Sequence, residues 1–471
     1  MASSLPGAGR APRRPPPAGD WSYDDALAYL GASVNLEALV AGRFEPPTLE
    51  RMTTLCGLMA DPQHAQPAVH VTGTNGKGST ARMVTALLAT HGLTVGTYTS
   101  PHLVRVNERI ARNGEVIDDA DLAECVAAVA QLEDLSGVRP SHFEILTLAA
   151  YRWFADLAVD AAVVEVGMGG RWDATNVVDA VVSVVTNVGL DHIGVLGPTR
   201  SDIAREKAGI VRPEGTLVLG ETDPELASIF VGAGPRAILA RDREFGCTAN
   251  RLAVGGRLLD LQTPGASYRD VFLPLHGAHQ GDNAAVAVAT AEAFFGRPVE
   301  EQALREALAS VAVPGRFEIV GRNPLLVLDG AHNPDGCRAV AATLRDFSVG
   351  GERVLVVGMN RGRSPAAMFE ALAATEPRLV VACAADWPRA LPAEEVAAAA
   401  RATGVEVEVV PPVAEAVRQA LAIASADDAV LVTGSLHAVG AARAALVGAG
   451  NRTAGGDGGG GGPAGPDGRD G

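Results

Sequence analysis

Residues 72–80 read TGTNGKGST, a run of small residues around a single lysine. The preceding AVHVT, residues 68–72, is typical of a buried strand, and residues 79–91 are typical of a helix that ends at Gly92. A glycine-rich loop between a strand and a helix presents backbone N–H groups at a helix N-terminus, where phosphate binds. The stretch therefore predicts a nucleotide-binding loop in which Lys77 neutralises the terminal phosphates.

This loop departs from the general phosphate-loop pattern at one position. Ser or Thr usually follows the lysine directly, whereas here Gly78 intervenes before Ser79. The departure weakens the general match and indicates a particular subfamily. A glycine-rich turn without a ligand is the alternative, and the flanking strand and helix favour nucleotide binding over it.

The rest of the chain alternates short apolar runs with longer alanine-rich stretches, which predicts βαβ units and a mainly parallel sheet. The runs at 161–166 and 180–188 are apolar enough to be central strands. A second, smaller Rossmann-like α/β series follows a hinge at Pro314–Gly315, with strands predicted at 325–329, 353–358, 379–383, 405–409 and 429–433. We therefore predict a disordered tail at 1–20, an ATP-binding domain at 21–313, a C-terminal α/β domain at 314–447 and a disordered glycine-rich tail at 448–471.

Composition excludes several classes of protein. The 471 residues are 47% hydrophobic and carry a net charge of −16, which disfavours nucleic acid and anionic membranes as partners. We see no apolar run of 18 residues, so we expect no membrane-spanning segment. The 5 cysteines are scattered without a CxxC pair, which predicts reduced thiols and a cytoplasmic location.

Only two of the 39 basic residues are lysines, Lys77 and Lys207. Arginine serves on most surfaces but fails where chemistry needs a compact ammonium or an amine that loses its proton. A buried, neutral Lys207 could add CO₂ and become an anionic carbamate that binds Mg²⁺, which arginine cannot do. The alternative is a surface ion pair with Glu206, in which arginine would have served equally well.

Polar residues at predicted strand ends suggest further site positions. Glu165 closes an apolar strand, where a carboxylate needs a metal or an ion-pair partner. His192 follows the next strand and is either a metal ligand or a structural histidine. Asp329 and His332 either face a ligand or only shape a turn, and Asn333 before Pro334 is predicted to cap a helix.

Further stretches of the chain match the motifs of one known family, in the same order along the sequence. They are YTSPHLVRVNERI (98–110), FEILT (143–147), EVGMGGRWDATN (165–176), LDH (190–192), EKAGI (206–210), HQGDNAA (279–285), PGRFE (314–318), DGAHNPDG (329–336) and VTGSL (432–436). Together with the phosphate loop they resemble the folylpolyglutamate synthase/dihydrofolate synthase branch of the Mur ligase family. The resemblance implies a P-loop Mur-ligase-type ATPase domain. It also implies an ATP-dependent ligase that adds L-glutamate to a folate-type carboxylate through an acyl phosphate, the acceptor being dihydropteroate, tetrahydrofolate polyglutamates or both. A monomer is expected.

The same resemblance assigns roles to residues. The residues that it implies as ATP contacts are Thr74, Asn75, Gly76, Lys77, Gly78, Ser79, Asn283, Arg316, Asp329 and His332. Its ligands for two Mg²⁺ ions are Ser100, Glu165, His192 and carbamylated Lys207. Its contacts to the pterin-containing substrate are Ser141, His142, Phe143, Glu144, Trp172, Asp173 and Ala174. Lys77, Lys207 and His192 are the expected catalytic residues.

Three alternatives stay open. A cell-wall Mur-type ligase acting on another carboxylate would need a domain before the loop, and only 72 residues precede Gly73. A regulatory ATPase would release phosphate without glutamate or folate, and a non-catalytic binding protein should have lost metal residues. One departure leaves the glutamate-end contacts unassigned, because residues 358–363 read GMNRGR where family members often carry Asp-Lys-Asp.

Overall fold

The computed structural model describes residues 20–35, 37, 48–347 and 349–453. The two predicted tails lie outside these residues, except for residue 20 and for 448–453, which continue the last helix. Over the described ranges, no helix combines the length and the apolar character that a membrane crossing needs.

The N-terminal part is built on an eight-stranded sheet with the order β4-β3-β2-β5-β1-β6-β7-β8. The six strands β2, β5, β1, β6, β7 and β8 are parallel, and β3 and β4 form an antiparallel edge next to β2. The strands are β1 Ala68–Thr72, β2 Val95–Tyr98, β3 Ile110–Arg112, β4 Glu115–Val116, β5 Ala161–Glu165, β6 Ala180–Val185, β7 Thr216–Leu219 and β8 Ala237–Ala240. The helices are α1 Tyr23–Ala32, α2 Glu50–Leu58, α3 Lys77–Thr90, α4 Asp119–Ser136, α5 His142–Asp156, α6 Ile193–Leu196, α7 Arg200–Lys207 and α8 Pro224–Val231.

Strand β1 lies at the centre of this sheet, between β5 and β6. Every residue of β1 and β5 is buried, because helices cover both faces of the sheet, and this explains the continuous apolar runs in the sequence. Val69 and Val71 point into one core with α3, whereas Ala68 points into the other with α5. The phosphate loop therefore leaves the sheet at its most enclosed strand.

A three-stranded antiparallel sheet that the sequence analysis did not predict follows β8. It consists of β9 Gly246–Ala253, β10 Gly256–Gln262 and β11 Ser267–Leu273, and it is followed by α9 His279–Phe295 and α10 Glu301–Ser310. Leu259 and Val271 of this sheet join the core that α3 and α9 share. The small sheet packs against α9 and α10, and these two helices in turn pack against α3, which begins at the phosphate loop.

The C-terminal part is built on a six-stranded sheet with the order β12-β13-β17-β14-β15-β16, parallel except for β12. The strands are β12 Glu318–Arg322, β13 Leu325–Leu328, β14 Arg353–Val357, β15 Leu379–Ala384, β16 Glu406–Pro412 and β17 Ala429–Thr433. The helices are α11 Pro334–Arg345, α12 Pro365–Leu372, α13 Ala393–Arg401, α14 Val413–Ile423 and α15 Leu436–Thr453. The prediction of two α/β units with mainly parallel sheets is confirmed.

One of the contacts between the two units is a small aromatic and ionic cluster. His276 packs edge-on against Phe317 and Phe347, whose rings stack at 5.3 Å. Arg257 of β10 donates to Asp346, which follows α11, at 3.0 Å. These contacts hold the carboxyl ends of the two sheets toward a common cleft.

His70 on β1 provides a pH-dependent contribution to stability. Its side chain is fully buried, Nε2 lies 2.8 Å from the Thr175 hydroxyl, and burial lowers the pKa of His70 to about 3. Because the unfolded chain takes up a proton near pH 6.5 and the folded chain does not, stability falls as the pH drops from 6.5 toward 3. We expect His70→Asn to flatten the pH dependence of the unfolding free energy by up to about 1.4 kcal/mol per pH unit in that window. Urea unfolding at several pH values measures this, and parallel slopes for both proteins would contradict it.

Candidate active site

A cleft of about 1780 Å³ lies between the two α/β units. It gathers all but one of the predicted site residues: Thr74, Asn75, Gly76, Lys77, Gly78, Ser79, Ser100, Ser141, Phe143, Glu144, Glu165, Trp172, Asp173, Ala174, His192, Lys207, Asn283, Arg316, Asp329 and His332. The exception is His142. It lines a smaller neighbouring cavity of about 460 Å³, and its Nδ1 lies 3.2 Å from the carbonyl oxygen of Leu30.

The phosphate loop is held in shape by the residues that follow β6. Asn187 accepts from the backbone N–H of Asn75 at 3.0 Å and donates to the carbonyl of Asn75 at 3.0 Å. Gly76 has a left-handed backbone with φ of 83°, and a Cβ there would lie 2.4 Å from Oδ1 of Asn283. Helix α3 begins directly afterwards, at Lys77. The loop therefore presents a helix N-terminus to the cleft, as phosphate binding requires.

The two lysines meet at one atom. Nζ of Lys77 donates to the carbonyl oxygen of Gly73 at 3.1 Å, and Nζ of Lys207 donates to the same oxygen at 2.8 Å. Burial lowers the pKa of both lysines, and the charge of Lys77 lowers that of Lys207 further, well below its usual value. Lys207 is therefore not a surface ion-pair residue, and its amine is poised to lose its proton.

Ser100 and Glu165 also lie together. The backbone N–H of Ser100 donates to Oε2 of Glu165 at 3.1 Å. Glu165 is 4% exposed, and burial raises the pKa of its carboxyl group against the opposing charge of Lys77. A carboxylate oxygen that lines a cleft is the type of ligand that hard divalent cations prefer.

His192 is separated from that pair and lies beside Asp191. Its backbone is left-handed, with φ of 52°, and burial lowers the pKa of its imidazole to about 3, so the ring is neutral. Nε2 of His332 approaches Oδ2 of Asp191 at 3.6 Å, so both histidines share one carboxylate. A neutral imidazole is the form that binds metal.

The side chains fit a divalent cation by donor type. They offer a carboxylate, a hydroxyl and a neutral imidazole, which suit Mg²⁺ or Mn²⁺. Within the described ranges, no three His, Cys, Asp or Glu side chains cluster closely enough to form a metal site by themselves. The fit therefore depends on a fourth, anionic donor, which unmodified Lys207 does not supply.

The C-terminal unit contributes Arg316, Asp329, His332 and Asn333. Asp329 accepts from the backbone N–H groups of Phe317 and Ala331, both at 2.8 Å, so its oxygens shape the turn that carries His332. Arg316 lies against this turn, since a Cβ at Gly330 would be 2.4 Å from its Nη1. Asp329 therefore both shapes the turn and lines the cleft, so the two alternatives predicted for it are not exclusive.

Asn333 links the C-terminal unit to the phosphate loop. As predicted, it caps a helix: Oδ1 accepts from the backbone N–H of Gly336 at 2.8 Å at the start of α11. Its Nδ2 donates across the cleft to Oδ1 of Asn75 at 3.0 Å. The side chain therefore has a structural contact and a contact between the units.

Two substitutions separate these contacts. We expect Asn333→Ala to lower stability by about 1 kcal/mol because the cap is lost, and Asn333→Ser to retain most of that stability. Both variants lose the donor to Asn75, so both should weaken ADP binding by several-fold. Thermal unfolding and calorimetry measure the two effects. Equal ADP affinity in wild type and Asn333→Ser would show that the bridge does not support the loop.

The predicted substrate segments form the far end of the cleft. Ser141 caps α5, and Glu144 accepts from its backbone N–H at 2.7 Å and from Arg51 at 3.1 Å. Asp173 accepts from the backbone N–H groups of Met168 and Thr175, at 2.9 and 3.0 Å. These carboxylates therefore organise the start of α5, which carries Phe143, and the loop that carries Trp172, and both of these side chains line the cleft.

The sequence analysis missed several cleft residues. Thr186 and Asn187 were included in a predicted strand that ends at Val185 in the structure, and polar residues at a strand end were the available signal. Arg363 and Arg389 lie in loops of the C-terminal unit, and both line the cleft. The sequence around these two arginines does not indicate that they line the cleft.

Comparison with known proteins agrees with this architecture. Residues 71–291 match the Mur ligase middle domain, and residues 315–436 match the Mur ligase, glutamate ligase domain. The chain is 40% identical over 383 residues to the dihydrofolate synthase/folylpolyglutamate synthase of Mycobacterium tuberculosis, covering 75% of this chain and 77% of the relative. It is 35% identical over 442 residues to the folylpolyglutamate synthase of Lacticaseibacillus casei, covering 91% and 99%. It spans about half the length of 40% identical relatives from Haloferax volcanii and Halobacterium salinarum, whose names add a dihydropteroate synthase.

Solved structures are similar over nearly the whole chain. The M. tuberculosis folylpolyglutamate synthase complexed with ADP superimposes with a TM-score of 0.84 at 35% identity, covering 90% of this chain and 98% of that one. E. coli FolC in complex with DHPP and ADP gives 0.80 at 31% identity, covering 92% and 99%. A bifunctional folylpolyglutamate synthase/dihydrofolate synthase with Mn, AMPPNP and L-glutamate bound gives 0.79 at 31% identity, covering 90% and 98%. With this extent of similarity over both units, the chain belongs to the folylpolyglutamate synthase/dihydrofolate synthase branch of the Mur ligase family.

Proposed function

We propose that this chain is an ATP-dependent ligase that joins the amine of L-glutamate to the carboxylate of a folate-type substrate, dihydropteroate or a tetrahydrofolate polyglutamate. The observation that carries the proposal is the pair of lysines, Lys77 and the buried Lys207, on one carbonyl oxygen of the phosphate loop. The relatives that bind ADP, DHPP or L-glutamate support the choice of substrates.

The reaction proceeds in two steps. A carboxylate is a poor electrophile, so one of its oxygens first takes the γ-phosphoryl group of ATP, the bond from γ-phosphorus to the bridging oxygen breaks, and ADP leaves. The glutamate amine then attacks the acyl carbon, the bond to the phosphate oxygen breaks, and the nitrogen loses a proton. The products are an amide, ADP and phosphate.

The phosphate loop and the facing turn hold the nucleotide in this proposal. The backbone N–H groups of Thr74 and Asn75 donate to Asn187, so those of residues 76–79, at the N-terminus of α3, bind the phosphate oxygens. Lys77 offsets the charge on the γ-phosphoryl group. Asn283 packs against Gly76 from α9, and Arg316 and His332 approach from the C-terminal unit. Asp329 acts through the turn that it stabilises.

We propose that Ser100, Glu165 and His192 hold two Mg²⁺ ions and that carbamylated Lys207 supports the second. The bound ions would offset the charge of the γ-phosphate and the incoming carboxylate. The carbamate forms when the neutral amine of Lys207 adds to CO₂ and loses a proton, which changes a cation into an anion. The lowered pKa of the buried Lys207 favours this chemistry, and the relative with bound Mn supports a divalent ion.

The pterin end of the substrate lies along Ser141, Phe143, Glu144 and residues 172–174 in this proposal. His142 is left out, because its ring lines the neighbouring cavity. Phe143 packs against Tyr98 with ring centroids 5.9 Å apart, and both Phe143 and the exposed Trp172 line the cleft. Flat heterocycles pack well on aromatic rings.

We further propose that residues 21–313 and 314–447 act as two domains that close over the substrates. Gly315, with φ of 71°, lies at the predicted hinge, and the Asn333–Asn75 contact joins the domains at the loop. Closure excludes water, which would otherwise hydrolyse the acyl phosphate. The 5 cysteines are thiols in the structure, which suits the proposed cytoplasmic location. A monomer stays a prediction.

A coupled ADP-release assay tests the function. We expect ADP release only when ATP, Mg²⁺, L-glutamate and a folate-type acceptor are all present, with dihydropteroate and tetrahydrofolate supplied separately. Phosphate release without glutamate or acceptor would favour the regulatory ATPase instead. Activity confined to another carboxylate would favour the Mur-type alternative, which the similarity to folate ligases disfavours.

A further inference from the structure

Arg363 reaches from the C-terminal unit into the first one. It lies in the loop between β14 and α12, in the GMNRGR stretch that departs from the family pattern. Its Nη1 forms an ion pair with Asp191, and its Nη2 lies 3.3 Å from Nε2 of His192. The Arg363 and Asp191 side chains are 13% and 7% exposed, so the contact is nearly dry.

The contact with His192 fixes the state of the imidazole. A guanidinium group only donates hydrogen bonds, so Nε2 of His192 must be the accepting nitrogen and its proton must be on Nδ1. The lone pair on Nε2 is also the one that this face of the ring offers to a metal ion. Arg363 therefore occupies the electron pair that a cation in the cleft would use.

Charge repulsion prevents Arg363 and a divalent cation from contacting Nε2 of His192 at the same time. A divalent cation and a guanidinium repel each other strongly at hydrogen-bond distance in a partly desolvated site. The ion pair with Asp191 keeps Arg363 in place. Among the described residues, the only other basic side chains close to Asp191 are His192 and His332, whose Nε2 atoms lie 3.9 and 3.6 Å from Oδ2 of Asp191. Arg363 is the one arginine or lysine in the described part of the chain that pairs with Asp191.

We propose that Arg363 is a positioning residue that occupies the metal-facing nitrogen of His192 until a divalent cation displaces it. It thereby couples loading of the cation site to movement of the C-terminal loop. The proposal rests on the proposed role of His192 as a metal ligand. It assigns a function to the stretch 358–363 that the family pattern leaves unexplained.

Binding of Mn²⁺ to the full chain without nucleotide or substrates tests this, with free Mn²⁺ measured by electron paramagnetic resonance. Arg363→Met keeps the length of the side chain and removes the charge, and we expect it to bind Mn²⁺ about tenfold more tightly than wild type. Arg363→Gln carries the same expectation, and Arg363→Lys should stay close to wild type. Arg361→Met is the matched control from the same loop. Its side chain pairs with Glu395, so its Mn²⁺ affinity should change less than about twofold.

A second variant locates the effect. In a His192→Ala background, Arg363→Met should produce no gain in Mn²⁺ affinity, because the nitrogen that it uncovers is gone. Unchanged or weaker binding in both Arg363→Met and Arg363→Gln would overturn the proposal, as would a gain that survives in His192→Ala. Since no substrate is present, failure here leaves the ligase proposal untouched, and a missing ligase activity would leave this result interpretable.

Discussion

Lys207→Arg is expected to fold normally and to lose ligase activity by about 10³-fold or more. Arginine keeps a positive charge and a hydrogen-bond donor near the carbonyl of Gly73, but its guanidinium does not lose a proton and cannot add CO₂. A surface role for Lys207 would predict the opposite result, because arginine would serve equally well. The coupled ADP-release assay measures the loss, and circular dichroism checks the fold.

Two further measurements separate carbamate chemistry from simple packing damage. Wild type incubated with ¹³C-bicarbonate should give a protein-bound carbamate signal in ¹³C NMR, and Lys207→Arg should not. Lys207→Ala should recover part of its activity when formate or acetate is added, because a small carboxylate fills the vacated volume with the missing anion. Full activity in Lys207→Arg would rule out the carbamate.

Lys77→Ala is expected to reduce kcat/KM by about 10³-fold or more and to weaken ADP binding measurably. Lys77 contacts the loop backbone twice, through hydrogen bonds to the carbonyl oxygens of Gly73 and Thr74 at 3.1 and 3.4 Å. In this proposal its point charge stabilises the phosphoryl group in transfer, which no neighbouring side chain can reproduce.

The control for Lys77 is a stability measurement. Removing Lys77 takes away the neighbouring charge that lowers the pKa of Lys207, so Lys77→Ala should unfold at the same temperature as wild type or higher. Lys77→Arg keeps the charge in a planar group and should remain impaired. Near-normal turnover in Lys77→Ala would contradict the phosphate-binding role of the loop.

Much of the fold was predictable because its central strands are buried on both faces. Strand β1 has the predicted bounds, and the strands predicted at 161–166 and 180–188 end somewhat earlier, at Glu165 and Val185. The sheet at 246–273 was not predicted, because one face is solvated and its strands carry mixed polar and apolar residues. Such strands are defined by their partners more than by their own composition.

The site was predictable where chemistry limits the choice of residue, and less so where backbone geometry decides. The scarcity of lysine pointed to Lys77 and Lys207, and the structure brings them to one oxygen. The oxygens of Asp173 and Asp329 are taken up by backbone N–H groups, which depends on turn conformation that spacing does not reveal. Arg363 is far from Asp191 in sequence, so only tertiary structure could place them together.

The carbonyl oxygen of Gly73 accepts hydrogen bonds from both lysines, which holds their two amines close together. A carbonyl oxygen has two lone pairs, so these two donors saturate it, and the positive charge of Lys77 lowers the pKa of Lys207. A phosphate group beside Lys77 offsets that charge and so lowers the electrostatic cost of holding the two amines together. Nucleotide should therefore raise the melting temperature by more than its contact area alone would suggest.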